Sequence, residues 1–158
     1  MTLRVRVIEL KNYIGKELGV SRWYEVTQDK INSFATATGD RQWIHLDGQR
    51  SLQDSPYKTT IAHGYFTLSL APRFMQEILR VTDAQFVVNS GIEKFRLRTP
   101  VKTGSRVRMH AVLKKFRTLP SGSAHATMRI SFEIEGEKKP CAFGTVSLFY
   151  VIEDPESS

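Results

Sequence analysis

The chain has 158 residues, 41% hydrophobic and 25% charged, which suits one globular domain with its own core. Its single cysteine, Cys141, excludes an internal disulfide and any thiolate-pair metal site, and points to a reducing cytoplasm. The net charge of +7, from 23 Lys and Arg against 16 Asp and Glu, favours an anionic partner. The basic residues are dispersed, densest from Arg96 to Arg108, with no recognition helix or aromatic stacking motif, so no nucleic acid is expected. No apolar run has the length to cross a bilayer, and residues 1–10 lack the apolar block of a targeting segment, so no membrane is expected either.

Residues 8–14 read as a short helix stopped near Gly15, and Trp23 to Val26 as extended chain. Thr27 suits the N-cap of a helix running to Thr38, with Ile31, Phe34 and Ala35 on its apolar face and Gly39 as its terminator. A second short helix is expected over Asp47 to Gln53, ended by Ser55-Pro56. From about Ala62 to Arg80 the chain is apolar almost all round, which predicts the longest and most buried helix, with a kink or break at Pro72.

Strands follow. Gln85 to Asn89 and Glu93 to Leu97 read as one strand interrupted or bulged near Gly91. Val107 to Leu113 and Ala126 to Ile134 alternate apolar and polar residues, separated by the turn at Leu119–Gly122, and Ala142 to Ile152 is a last apolar strand. The expected fold is α+β: a single domain over residues 1–152, an antiparallel sheet wrapped around a long central helix (the hot-dog arrangement), followed by a flexible tail at 153–158.

Two segments carry chemistry. In Gly39-Asp40-Arg41-Gln42-Trp43-Ile44-His45 a carboxylate and an imidazole stand five residues apart. A helix would set them about 140° apart and a strand would send them to opposite faces, so only an irregular loop brings them together. Trp43 and Ile44 would then wall them with apolar surface. Spacing alone fits equally a turn-capping aspartate and a packed histidine. In Ile61-Ala62-His63-Gly64 the glycine opens the long helix, where a free amide can polarise a carbonyl, or is simply small for packing; His63 is an orienting group. The four histidines lack metal-ligand spacing, so no metal is expected.

These two segments resemble the MaoC-like dehydratases, the family of the (R)-specific enoyl-CoA hydratases, whose pattern is roughly Gly-Asp-x-Asn-Pro-x-His followed by Ile-(Val/Ala)-His-Gly. Gln42-Trp43 replaces Asn-Pro, as in the nodulation-protein-N-like branch, and the resemblance runs from about Gly15 to Val151. It implies a homodimeric hot-dog enzyme without a cofactor, acting on acyl-CoA or acyl-carrier-protein thioesters. By this resemblance Asp40 and His45 activate a water that adds to a trans-2-enoyl thioester, and the Gly64 N–H binds the thioester oxygen. His63, Trp43 and Asn89 join as substrate-side residues, Asn89 as a hydrogen-bond partner for the carboxylate. A polar helper of some relatives would fall at Val87 here. Two other readings stand beside this one. A hot-dog thioesterase would need a carboxylate near the central helix, where Glu77 is the one acid late in the segment; a non-catalytic acyl-CoA-binding module would bind without turnover.

Overall fold

In the computed structural model of the protein, residues 1–152 are described; the expected tail at 153–158 lies outside them. Eight strands and five α-helices follow an N-terminal order of strand β1 (Leu3–Val5), a 3-10 turn (Val7–Tyr13), β2 (Glu17–Val20) and β3 (Tyr24–Glu25). Then come α1 (Gln28–Thr38), α2 (Trp43–Leu46), α3 (Gly48–Asp54), α4 (Gly64–Ser69) and α5 (Ala71–Ile78). The chain closes with β4 (Leu79–Val81), β5 (Ala84–Leu97), β6 (Arg106–Thr118), β7 (Ala124–Ile134) and β8 (Ala142–Ile152). Among the described residues no helix is long and apolar enough to cross a membrane.

The main sheet is antiparallel and runs β2-β6-β7-β8-β5, with β3 also on the β6 edge. Along β7, β8 and the first part of β6, through Leu113, every second side chain is buried, the period-two pattern of strands with one face on a core. Phe74 of α5 sits at the centre of that core, fully buried, with Tyr24 edge-on at 6.0 Å and Phe132 at 6.1 Å between ring centroids. Small residues make room on the inner face. At Gly144 a Cβ would lie 2.7 Å from the Phe95 backbone, so only glycine lets Phe95 cross there and reach Phe132.

The expected break at Pro72 divides the long helix into two. α4 ends at Ser69, Leu70 joins it to α5, and the last expected residues leave helical form as β4, which pairs parallel with β1. Pro72 is the cause: it has no N–H and its ring crowds the carbonyl four residues back, so the helix restarts with proline in its first turn. The start also moves, because the Ala62 amide donates to the Val101 carbonyl instead of entering a helix. β5 is continuous through Gly91, with register shifts at Ala84–Phe86, Asn89–Gly91 and Glu93–Arg96.

Candidate active site

Gly39 ends α1 in the left-handed conformation, φ 80°, its amide donating to Ala35. The chain therefore turns sharply just before Asp40. The Asp40 carboxylate accepts from the Gln42 amide at 3.3 Å, and its backbone carbonyl accepts from His63 Nε2 at 2.9 Å. Asp40 is thus fixed at both its side chain and its main chain.

The loop that brings Asp40 and His45 together is half irregular and half helical: Asp40 to Gln42 are irregular, and Trp43 to Leu46 make the single turn α2. That turn buries His45, whose Nδ1 lies 2.7 Å from the Ile61 carbonyl. A carbonyl only accepts, so Nδ1 carries the hydrogen and Nε2 keeps a bare lone pair. Burial lowers the His45 pKa from its ordinary 6.5; the neighbouring His63 adds to this, while the Ile61 carbonyl and Asp40 oppose it. The ring is therefore neutral and basic at pH 7. His63, also buried, stacks on it with 3.8 Å between centroids. One oxygen of Asp40 and one nitrogen each of His45 and His63 lie within 4.8 Å of one another. One water accepted by two groups at about 2.8 Å each spans up to about 5.6 Å, so the gap suits a single shared water.

Those three groups have the composition of a metal site but not its geometry. Imidazole donates in the ring plane, and two rings stacked with their planes only 24° apart hold their donors in separate, nearly parallel planes. His63 Nε2, moreover, already spends its hydrogen on the Asp40 carbonyl.

Two cavities reach His45. One, of about 350 Å³, is lined by Phe34, Asp40, His63 and Tyr65. The other, of about 200 Å³, is lined by Ile61, Thr67, Arg98, Cys141 and Ala142. Both touch His45, Gly64 and Leu97. Gly64 is the first residue of α4, so its amide has no partner within the helix. Cys141 is buried and its thiol is pushed up to about 11 by burial, which leaves it protonated and inert.

Trp43 does not wall the pair as expected. It precedes His45 by two positions, about 200° around a helical turn, so with His45 turned inward the indole faces the Arg50 guanidinium, 4.3 Å from its ring centroid. Phe34, Tyr65 and Leu97 form the walls instead. Asn89 is not brought to Asp40 either. It lies on β5 in an apolar groove with Leu68, Ala71 and Ile92. Glu77 points elsewhere, to Arg22 and Arg73.

Residues 9–130 match the profile of the family described as "MaoC like domain". The chain belongs to the MaoC-like family. It is 39% identical over 145 residues to the 3-hydroxyacyl-thioester dehydratase Z of Mycobacterium tuberculosis, covering 92% of this chain and 95% of that one. It is 38% identical over 133 residues to the nodulation protein N of Rhizobium leguminosarum bv. viciae, covering 84% and 83%. The monoamine oxidase regulatory protein from Archaeoglobus fulgius superposes with a TM-score of 0.76 over 97% of this chain and all of its own, at 18% identity, which speaks for the hot-dog fold alone.

In this MaoC-like site two residues that sequence reasoning passed over hold His45 in place. The Gln28 side-chain amide donates to the His45 carbonyl at 2.7 Å and accepts from the Thr60 hydroxyl at 2.5 Å. The Ile61 amide donates to the Ile44 carbonyl at 3.1 Å. These bonds tie the start of α1, the MaoC-like loop and the Ile61-Ala62-His63-Gly64 segment together. Thr60, beside that segment, was the one sequence signal; Gln28, 32 positions away, had none.

Proposed function

We propose that this protein hydrates trans-2-enoyl thioesters to (R)-3-hydroxyacyl thioesters and catalyses the reverse dehydration. The observation that carries the reading is the unpartnered Nε2 of the buried His45, with the Asp40 carboxylate and the unpartnered Gly64 amide at the same site. Both acceptors hold the hydrogens of one water and turn its oxygen lone pair toward C3. As the C3–O bond forms, the double-bond electrons move to the thioester oxygen, where the Gly64 N–H donates. The pair takes a proton from the water and returns one to C2 as the enolate collapses. No electrons leave for a carrier, so the reaction needs no cofactor. The dehydratase relative at 39% identity supports the substrate class. Arg98 at the mouth of the smaller cavity, 5.5 Å from the Phe143 ring, suits the phosphates of coenzyme A or of a carrier-protein arm. The same reading makes it a cytoplasmic enzyme. Loss of crotonyl-CoA absorbance without release of free thiol is the expected assay result. Thiol release would favour a thioesterase, and saturable binding without turnover a binding module.

His45 must be unprotonated to accept from water. A group whose pKa is lowered by burial loses its proton at lower pH, so kcat/KM falls only on the acid side, with its midpoint below 6.5. An acid limb centred above 6.5 in a pH–rate profile contradicts this assignment.

The protein is also proposed to be a homodimer joined through β5. That strand is the sheet edge and is exposed along almost its whole length, yet it carries Phe86, Val87, Val88 and Ile92 in solvent. An unpaired apolar edge of 14 residues is a template for a second strand. Ile92, 55% exposed, is a suitable probe. Ile92→Lys removes about 2–3 kcal/mol of apolar burial at the joint and raises the dimer dissociation constant by roughly two orders of magnitude. Sedimentation showing the variant as dimeric as the parent overturns the assignment.

A further inference from the structure

We propose that Leu97 is the residue that decides whether a ligand can occupy both cavities at once, an inference that rests on the function proposed above. The two cavities touch the same three residues, His45, Gly64 and Leu97. His45 is pinned by the Ile61 carbonyl and Gly64 has no side chain. Leu97 alone can move. Its Cδ1 stands 2.2 Å from where a Cβ on Gly64 would be, so it is seated on the glycine in the strip between the cavities.

The backbone puts it there. Leu97 is the last residue of β5, paired with Ala142, and it follows the register shift at Glu93–Arg96. Inside that shift Lys94 takes φ 50°, a left-handed conformation uncommon for lysine. Bulges of this kind re-aim a side chain beside a functional site. Here Phe95 crosses Gly144 into the core and Leu97 comes down over Gly64. Leu97 ends β5, five residues beyond the Ile92 of the proposed joint, and is 52% exposed in the single chain, so a staggered rotamer off Gly64 is open to it.

The layout of the cavities calls for the movement. The cavities, of about 200 Å³ and 350 Å³, share only His45, Gly64 and Leu97, so a ligand with one arm in each crosses that strip. Arg98 marks the smaller as the side of the phosphate-bearing arm. Phe34 and Tyr65 lead from the larger into the apolar groove that holds Leu68 and Ile92, the side of the acyl chain. A linear thioester reaching from one to the other passes Gly64, and Leu97 must rotate to let it through. A ligand confined to the Arg98 side has no such requirement.

The test compares hexanoyl-CoA, a saturated thioester that cannot react, with free coenzyme A, binding the full-length parent protein, Leu97→Ala and Leu97→Trp by stopped flow. If the open rotamer is the minor one, removing the side chain removes that population penalty, so Leu97→Ala speeds hexanoyl-CoA association about tenfold and Leu97→Trp slows it by a similar factor. Association of free coenzyme A changes far less than that of hexanoyl-CoA, although Leu97 also lines the Arg98 side. Equal hexanoyl-CoA rates in the three proteins overturn the gate, and so does a parallel change for both ligands. Crotonyl-CoA turnover by the same parent sample separates the two levels. Turnover with indifferent Leu97 variants removes the gate alone; neither turnover nor binding by the parent removes the proposed function and the gate with it.

Discussion

Asp40→Asn and His45→Gln each lower kcat by about 10²–10⁴, the usual contribution of a positioned acid or base. Asparagine keeps an oxygen for the Gln42 amide and leaves the main-chain carbonyl that accepts from His63, so the loop keeps its shape while the charge that accepts from water is lost. Glutamine at position 45 replaces the bare ring nitrogen with an amide that cannot accept a proton at neutral pH. The two groups act on one water, so the double variant is little worse than the slower single one; effects of groups that work as a unit do not add. Steady-state kinetics on folded variants checks this. Turnover near that of the parent in either single variant defeats the assignment.

Phe74→Ala is the largest expected loss of stability. The ring is fully buried between α5 and the sheet, against Tyr24 and Phe132, so no backbone can close in on the space it leaves. Such a truncation costs about 3–5 kcal/mol. For a chain of this length that lowers the melting midpoint by roughly 6–20 °C. Calorimetry showing a shift below about 2 °C would place the centre of the core elsewhere.

What the sequence made legible is what local patterns encode. Alternation along Val107–Leu113 and Ala126–Ile134 marks strands with one buried face, and those residues do face the core. Gly39 after Thr38 is a helix stop, and it adopts the left-handed conformation expected of one. Pro72 announces the break that makes the helix two, but the pattern of apolar residues hides that its end turns into β4, because the pairing of Leu79–Val81 with Leu3–Val5 spans about 76 positions. Asp40 and His45 were legible as a pair, whereas the inward aim of His45 and the outward aim of Trp43 follow from one turn of helix that no propensity announces. Asn89 reads as near the site in sequence and lies in another groove, since the strand pattern alone does not say which stretch of β5 faces the loop. Gln28, Thr60 and Leu97 act through contacts between segments far apart in the chain, which leave no periodic trace.

A single Asp–His cluster serving both carbons of the double bond has a stereochemical consequence, because water and proton arrive from the same side. Hydration of crotonyl-CoA in deuterium oxide, with the product resolved by chiral chromatography and proton NMR, reads this directly. The expected product is (R) at C3, with one deuterium at C2 on the same face as the new hydroxyl. An (S) product would overturn the proposed (R) specificity, and deuterium on the opposite face or on both would mean that Asp40 and His45 do not share the water between them.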